Sequence, residues 1–410
     1  MTFRHSRPSD EDGRRLVPRQ LTQLRFPPHE AVDYRDRYRG AMVGTAVGDA
    51  LGRPLEGMSS RFIAESFGYV TDYVPRNRLK RGPKGLVTDD TEMALCIAQS
   101  IVEHGQLEPE DLAERFRSWS LVGRGMGSAT RAACQRIGRG DAWYVAGSDS
   151  AGNGAAMRAA PIALFEPFDM DALRESAALS AVITHNNPTA VAATIAAAYV
   201  VAHLLHVPSG TFDAESLRSG IDAVLAGVDD PALTERRDGR SETTLLSRIH
   251  DVFEMSDQPI ERIYERTHNG AFVVESLPAA LGAFLVSAED PEKVITAAVN
   301  GGHDADTVGA MAGAFAGAYH GVSALPNRWV KDIEFRSGLE GVADELLHLA
   351  DLGEPFTGMG RPSRDDYSPF VRDGKRWITR THFEESQRKP TLSRDIRLLP
   401  HPASVRALVR

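Results

Sequence analysis

Cysteine is almost missing from this chain: Cys96 and Cys134 are the two thiols in 410 residues. Both fall in apolar, helix-patterned surroundings, so a secreted fold stapled by disulfides is not expected. No His/Cys set with zinc spacing accompanies them. Aromatic residues are also scarce, at 7%. With Ala and Gly abundant, the core is expected to consist of closely packed helices bearing small side chains. Positive charge is in deficit, with 47 Lys and Arg against 56 Asp and Glu and a formal net charge of −9. That balance argues against a general nucleic-acid binder, which needs a basic face to neutralise phosphates. The most apolar run, residues 189–205 (TAVAATIAAAYVVAHLL), falls short of the roughly 20 residues of a membrane span and is largely alanine, so it reads as a buried core helix. The first thirty residues contain no apolar stretch of the signal-peptide kind, and a cytoplasmic location without membrane contact is expected. Alternating β-branched runs are sparse, no Asn-Gly hairpin joins two of them, and no solenoid period is visible.

What is present is helical periodicity. Apolar residues recur at three- and four-residue spacing over 91–103, 174–183, 187–205, 241–254, 276–287 and 339–350. The expected architecture is all-α: a single helical domain over 34–354, flanked by an Arg- and Pro-rich N-terminal extension (1–33) and a basic C-terminal extension (355–410). Residues 361–410 hold twelve Lys/Arg against six Asp/Glu, a net +6, so the rest of the chain carries −15. Each extension reads either as a solvated tail or as an arm that grips a partner.

Two acidic clusters stand at helix starts. One is Thr88-Asp89-Asp90-Thr91; the other is His303-Asp304-Ala305-Asp306-Thr307. Asp and Thr are favoured N-caps, and acidic groups suit the positive end of a helix dipole. Asp89 with Glu92 even has capping-box spacing. Capping, however, needs one acceptor, and each cluster has a surplus. Crowded carboxylates repel one another unless a cation neutralises them. Oxygen donors from Asp and Thr suit Mg²⁺ or Mn²⁺. Two such clusters facing each other could hold two metal ions, which activate water for hydrolysis. After the second cluster, Gly309, Gly313, Gly317 and Gly321 recur every four residues. Glycine costs a helix about 1 kcal/mol relative to alanine, so a close approach of another helix is expected on that face.

Five segments carry a resemblance: RGAMVGTAVGDALGRPLEG (39–57), GLVTDDTEMALCIAQS (85–100), SAGNGAAMRAAPIAL (150–164), ITHNNPTA (183–190) and AVNGGHDADTVGAMAGAFAGAYHG (298–321). In this order they resemble the ADP-ribosylglycohydrolases, closest to the dinitrogenase-reductase-activating type, over about 36–350. The resemblance implies an orthogonally packed all-helical fold with two divalent metals, Mg²⁺ or Mn²⁺, at the base of a cleft. It implies cleavage of the glycosidic bond between ADP-ribose and a target, commonly an arginine side chain.

Residue by residue, the resemblance makes Thr88, Asp89, Asp90, Asp304, Asp306 and Thr307 the metal ligands. The catalytic carboxylate is expected among Glu56, Asp90 and Asp304. Residues 123–127, with Gly125 and Gly127, match a loop over the ribose. Ser150, Gly152, Asn153, Gly154 and Met157 match the stretch that holds diphosphate and ribose, and His185 a histidine beside the ligand. Read without the resemblance, Gly-Asn-Gly is also an ordinary turn, and His185 a satisfied core histidine. Arg158 either serves packing or offsets the acidic site. Three positions depart from the pattern. His303 stands where glycine is common, and Gly125 and Ser150 stand where the arginine-type relative has acidic residues. The expected activity is removal of ADP-ribose from a modified protein side chain, arginine first, with ADP-ribose as product. Serine, nucleic-acid or small-molecule conjugates are the alternative substrates. A third reading is a binding protein of the immunity type, whose extensions neutralise an ADP-ribosyltransferase partner.

Overall fold

The computed structural model describes residues 28–75, 83–228, 230–234 and 242–350, together with the backbone of three short strands beyond them. The expected extensions at 1–33 and 355–410 lie for the most part outside the described residues.

Helix dominates. The first nine helices are α1 (Tyr34–Gly52), α2 (Ser60–Phe67), α3 (Asp89–His104), α4 (Pro109–Trp119), α5 (Ser128–Gly138), α6 (Trp143–Ala146), α7 (Ala160–Phe165), α8 (Met170–Val182) and α9 (Pro188–His206). The chain continues with α10 (Ala214–Leu225), α11 (Leu245–Glu254), α12 (Ile260–Thr267), α13 (Val273–Val286), α14 (Pro291–Asn300), α15 (Ala305–His320), α16 (Asn327–Val330) and α17 (Arg336–Leu349). Strand is confined, among the described residues, to two small antiparallel groups. One pairs β1 (Leu233–Thr234) with β2 (Glu242–Thr243); the other joins β3 (Phe370–Asp373), β4 (Arg376–Thr379) and β5 (Leu399–Pro400). The fold is all-α. The helix expected over 241–254 begins at Leu245 instead, because the Thr244 hydroxyl accepts the Ser247 N–H (3.1 Å) and caps it there.

The alanine-rich run becomes α9, the central helix of the core. The Asn187 side chain accepts the N–H groups of Thr189 (3.1 Å) and Ala190 (3.3 Å), and Pro188 occupies the first helical position. Among the described residues α9 is the one helix long and apolar enough to cross a membrane, yet 94% of its apolar window is buried inside the protein. Cys96 and Cys134 are free thiols in the same core.

The contact that places the functional residues is between α1 and α15. They run antiparallel, and glycine stands at every fourth position of both. A Cβ on Gly40 would strike the Gly317 carbonyl, one on Gly44 the Gly313 carbonyl, and one on Gly48 the Gly309 carbonyl; Gly52 lies on Ala305 in the same way. The relation is reciprocal, since a Cβ on Gly313 would strike the Gly44 carbonyl. The close approach expected for residues 309–321 therefore exists, and its partner is the equally spaced glycine row of α1. The backbones touch without intervening side chains. The C-terminal turn of α1 is thereby held against the N-terminal turn of α15.

Replacing Gly313 with alanine tests this packing. On an exposed helix the change would stabilise by about 1 kcal/mol. Here the added methyl group overpacks a backbone contact, and denaturant unfolding is expected to show a loss of about 1–3 kcal/mol. A stabilised variant would contradict the packing.

Candidate functional site

Asp49 lies in the last turns of α1, where its charge opposes that helix's own dipole. It is completely buried. Its carboxylate accepts the Thr88 N–H (2.9 Å to Oδ2), the Thr88 hydroxyl (2.8 Å to Oδ1), the Thr91 N–H (3.2 Å) and the Thr91 hydroxyl (2.6 Å). A residue of α1 thus supplies the N-terminal cap of α3, and the positive end of α3 receives the charge that α1 disfavours.

This decides what the neighbouring carboxylates are not doing. Thr88 and Asp304 occupy the N-cap positions of α3 and α15, and neither makes a side-chain cap bond. Elsewhere the chain caps helices in the ordinary way, with Asp33 on α1, Asp169 on α8, Asp213 on α10 and Asp290 on α14. In the α15 cluster Asp306 accepts the Thr307 N–H (3.0 Å), while the N-cap side chains of both clusters leave that duty undone. Asp90 is 1% exposed; its Oδ2 lies 2.9 Å from the Thr88 hydroxyl, and its Oδ1 is buried with no hydrogen-bond partner among the described residues. The single Thr88 hydroxyl proton faces both Asp49 and Asp90 and can satisfy one of them.

The α15 cluster is fixed from three sides. Residues 56–59 run against 302–303, with the Gly57 N–H on the His303 carbonyl (2.7 Å) and the His303 N–H on the Met58 carbonyl (2.6 Å). This pairing carries Glu56, itself exposed, to where its charge acts on Asp304 and Asp306. The Asp304 N–H bonds the Asn269 carbonyl (2.9 Å), and the Asn153 amide donates to the Asp304 carboxylate. His303, which replaces the expected glycine, adopts a left-handed φ of 56°. That conformation explains why glycine suits the position.

Burial pushes Asp89, Asp90 and Asp306 well above the usual carboxylate range, and their mutual repulsion adds to it. Asp306 and Asp49 act on Asp89; Asp49, Asp89 and Asp304 act on Asp90. Asp304 is raised by burial, against the Asn153 hydrogen bond. Asp49 is raised by burial too, against its four threonine donors. Among the described residues no three His, Cys, Asp or Glu side chains converge in ready metal-holding geometry. The donor set is nevertheless the hard, all-oxygen kind that Mg²⁺ and Mn²⁺ take, and the Oδ1 of Asp90 is an acceptor for which the described residues provide no donor.

Two loops close on this site. In the loop 123–127, Gly125 has a φ of 78°, and a Cβ there would sit 2.6 Å from an Asp89 carboxylate oxygen. Gly127 provides the N-cap position of α5. Arg124 anchors the loop. Its Nε donates to Glu92 (2.8 Å), its Nη2 to Glu334 (2.7 Å), and its backbone N–H to Glu92 (3.1 Å). Glu334 also accepts the Val87 N–H (3.1 Å), immediately before the first cluster. One guanidinium therefore ties the loop 123–127 to Glu92 of α3 and to Glu334, which also holds Val87.

On the other side, residues 151–153 pair with 271–273, through Asn153 N–H to the Ala271 carbonyl (3.1 Å) and Val273 N–H to the Ala151 carbonyl (2.9 Å). The Ser150 hydroxyl accepts the Gly152 N–H (3.2 Å). His185 lies under this turn, where a Cβ on Gly152 or Gly154 would meet its ring. Met157 is buried in the hydrophobic core, one turn beyond Asn153.

Residues separated by more than two hundred positions therefore meet at one buried site. The ADP-ribosylglycohydrolase family model matches residues 30–355. The chain belongs to the ADP-ribosylglycohydrolase family. Its similarity to the ADP-ribosyl-[dinitrogen reductase] glycohydrolase of Rhodospirillum rubrum is 32% identity, covering 77% of this chain and 97% of that one. To the ADP-ribosylhydrolase ARH3 of Gallus gallus it is 30%, covering 76% and 93%. To the ADP-ribosylarginine hydrolase Tri1 of Pseudomonas putida it is 30%, covering 79% and 80%. A solved structure of an ADP-ribosylglycohydrolase-related protein complex is 31% identical, with a TM-score of 0.60, covering 78% of this chain and 99% of that one. Membership makes the chain a hydrolase of ADP-ribose linkages.

At this site the sequence offers Glu92 only as a capping-box partner, whereas its carboxylate accepts from Trp119 and Arg124; Asp49, Arg124, Asn269 and Glu334 were not singled out. For Asp49 a signal was available, namely an acidic residue at the unfavourable end of an apolar helix. Arg124 carries the prediction here. Arg124→Ala leaves Glu92 (0% exposed side chain) and Glu334 (9%) without their cation. Unfolding should show a loss of about 3–5 kcal/mol, the size associated with an orphaned buried charge. A change within experimental error would mean that the network does not anchor the loops.

Proposed function

We propose that this chain is a divalent-metal-dependent hydrolase that removes ADP-ribose from a modified protein side chain, arginine-linked in the first instance. One observation carries the reading: the carboxylates of two distant helix starts are buried against one another, and Asp90 presents a buried oxygen with no donor among the described residues. Thr88, Asp89, Asp90, Asp304, Asp306 and Thr307 are the residues that would hold two Mg²⁺ or Mn²⁺ ions. When bound, such ions orient ribose hydroxyls and acidify a water molecule.

The chain's own residues do the rest. The anomeric carbon gains oxocarbenium character as the glycosidic bond breaks, and the crowd of carboxylates around Asp304 stabilises that positive charge. Glu56, Asp90 and Asp304 are the candidates to hold or move the proton of the attacking water. Asn153 holds Asp304 in place through its amide. The turn 150–154 offers backbone N–H groups and open glycine positions to a diphosphate.

A second reading has support from Gly125. Its left-handed φ of 78° strains any side chain, and a Cβ there would press on an Asp89 carboxylate oxygen, so the aspartate of the arginine-type pattern is disfavoured. A serine-linked or small-molecule conjugate is accordingly the alternative substrate.

The test is hydrolysis with purified protein and Mg²⁺ on arginine-, serine- and small-molecule-linked ADP-ribose. Release of ADP-ribose from the arginine conjugate is expected. It should fall by at least about a thousandfold on chelation with EDTA or in Asp304→Ala and Asp306→Ala, the scale of losing metal-assisted catalysis. Release that survives chelation and both substitutions would overturn the metal mechanism. Release from the serine conjugate alone would move the assignment to the second reading.

A further inference from the structure

Arg158 is completely buried. Its Nη2 donates to the Ser180 carbonyl (3.0 Å) and the Thr184 hydroxyl oxygen (2.7 Å), and its guanidinium lies over the Phe116 ring, 4.3 Å from the centroid. A guanidinium donates and never accepts, so Thr184 Oγ1 is an acceptor on that side. The same oxygen lies 2.9 Å from His185 Nδ1. Thr184 is 0% exposed, and its hydroxyl proton has no other acceptor among the described residues. The proton must therefore point at Nδ1, because otherwise a buried donor would be left unpaired. Nδ1 is then the acceptor, and the proton of the neutral ring is on Nε2. An imidazolium is disfavoured here: burial first, and the Arg158 charge second, lower the His185 pKa to about 3.

Nε2 faces the turn 150–154. A Cβ on Gly152 would lie 3.4 Å from it, and one on Gly154 3.1 Å. No hydrogen bond to Nε2 forms among the described residues, although the histidine is 3% exposed. A buried, oriented N–H thus ends beneath a turn whose glycines keep space clear above it.

We propose that Arg158 and Thr184 are positioning residues that hold His185, the histidine expected beside the ligand, in its neutral Nε2–H form, so that it meets a diphosphate at the 150–154 turn as a neutral donor. The ligand half rests on the ADP-ribose reading above, whereas the tautomer rests on geometry alone. The arrangement also resolves the role of Arg158, which does not pair with the acidic cluster but acts through Thr184. A neutral donor suits a site beside buried carboxylates, since it contacts the anion without competing as a cation for the aspartates.

Nitrogen-15 NMR of histidine-labelled, ligand-free protein tests the tautomer directly. The expected spectrum has a pyrrole-type Nε2 and a pyridine-type Nδ1 for His185, unchanged from about pH 8 down to about pH 5, where an ordinary histidine would titrate. Thr184→Val should abolish the tautomer preference and weaken ADP-ribose binding roughly tenfold, as expected for one lost hydrogen bond to a charged group. Thr184→Ser should restore both. A protonated Nδ1 in the wild-type chain, or a Thr184→Val variant with unchanged tautomer and affinity, overturns the proposal. If saturating ADP-ribose leaves the Nε2 resonance unmoved, the anion-donor role falls. If ADP-ribose does not bind the wild-type chain at all, the ADP-ribose reading is what fails, and the relay stands or falls on the tautomer.

Discussion

The site depends on backbone touching backbone between α1 and α15. Glycine at every fourth position of both helices removes the side chains that would hold them apart. Interlocked rows of this kind fix axial register as well as distance, because sliding by one residue would bring a Cβ onto a carbonyl. The register places Asp49 beside Thr88 and Thr91, and it brings the start of α15 to the start of α3. Carboxylates of three helices then share one buried space. A side chain at any of these glycines would alter that spacing before it altered any residue of the site.

The fold treats its buried acids in two different ways. Glu92 and Glu334 meet a cation of the chain, Arg124, which donates to both, although Glu334 Oε1 has no hydrogen-bond partner among the described residues. Asp89, Asp90 and Asp306 meet chiefly one another, and the leading electrostatic influences on them are negative. Within a few residues of each other, then, one acidic group is neutralised by the protein and another is left for something from outside. A purely structural explanation accounts for the first group and not the second. Capping was that explanation, and Asp49 already performs it for α3.

Much of this was legible in the sequence where the signal was local. The α3 and α15 starts could be placed because acidic clusters precede apolar runs of helical period. α9 could be recognised because its length and composition fit a core helix better than a span. What escaped depended on distant pairing. The glycines of 309–321 announced a close approach, but the matching row at Gly40, Gly44, Gly48 and Gly52 acquires meaning only when the two segments are set side by side. Asp49 reads as one more residue of an apolar helix until α3 is placed against it. Arg124 looks like a loop cation, and its two carboxylate partners are 32 and 210 residues away. Arg158 could be read as packing or as charge compensation. Its actual partners, Ser180 and Thr184, lie at the end of a helix that sequence patterning places but does not orient.

The central claim is that the two acidic clusters form one cation site. Calorimetric titration of Mn²⁺ into the metal-free, folded chain tests it most directly. The account predicts saturable binding of about two ions per chain, the number a two-metal hydrolase site takes, and loss of that binding in Asp90→Asn with the helical fold retained. A wild-type chain that is fully folded and takes up no Mn²⁺ would contradict it.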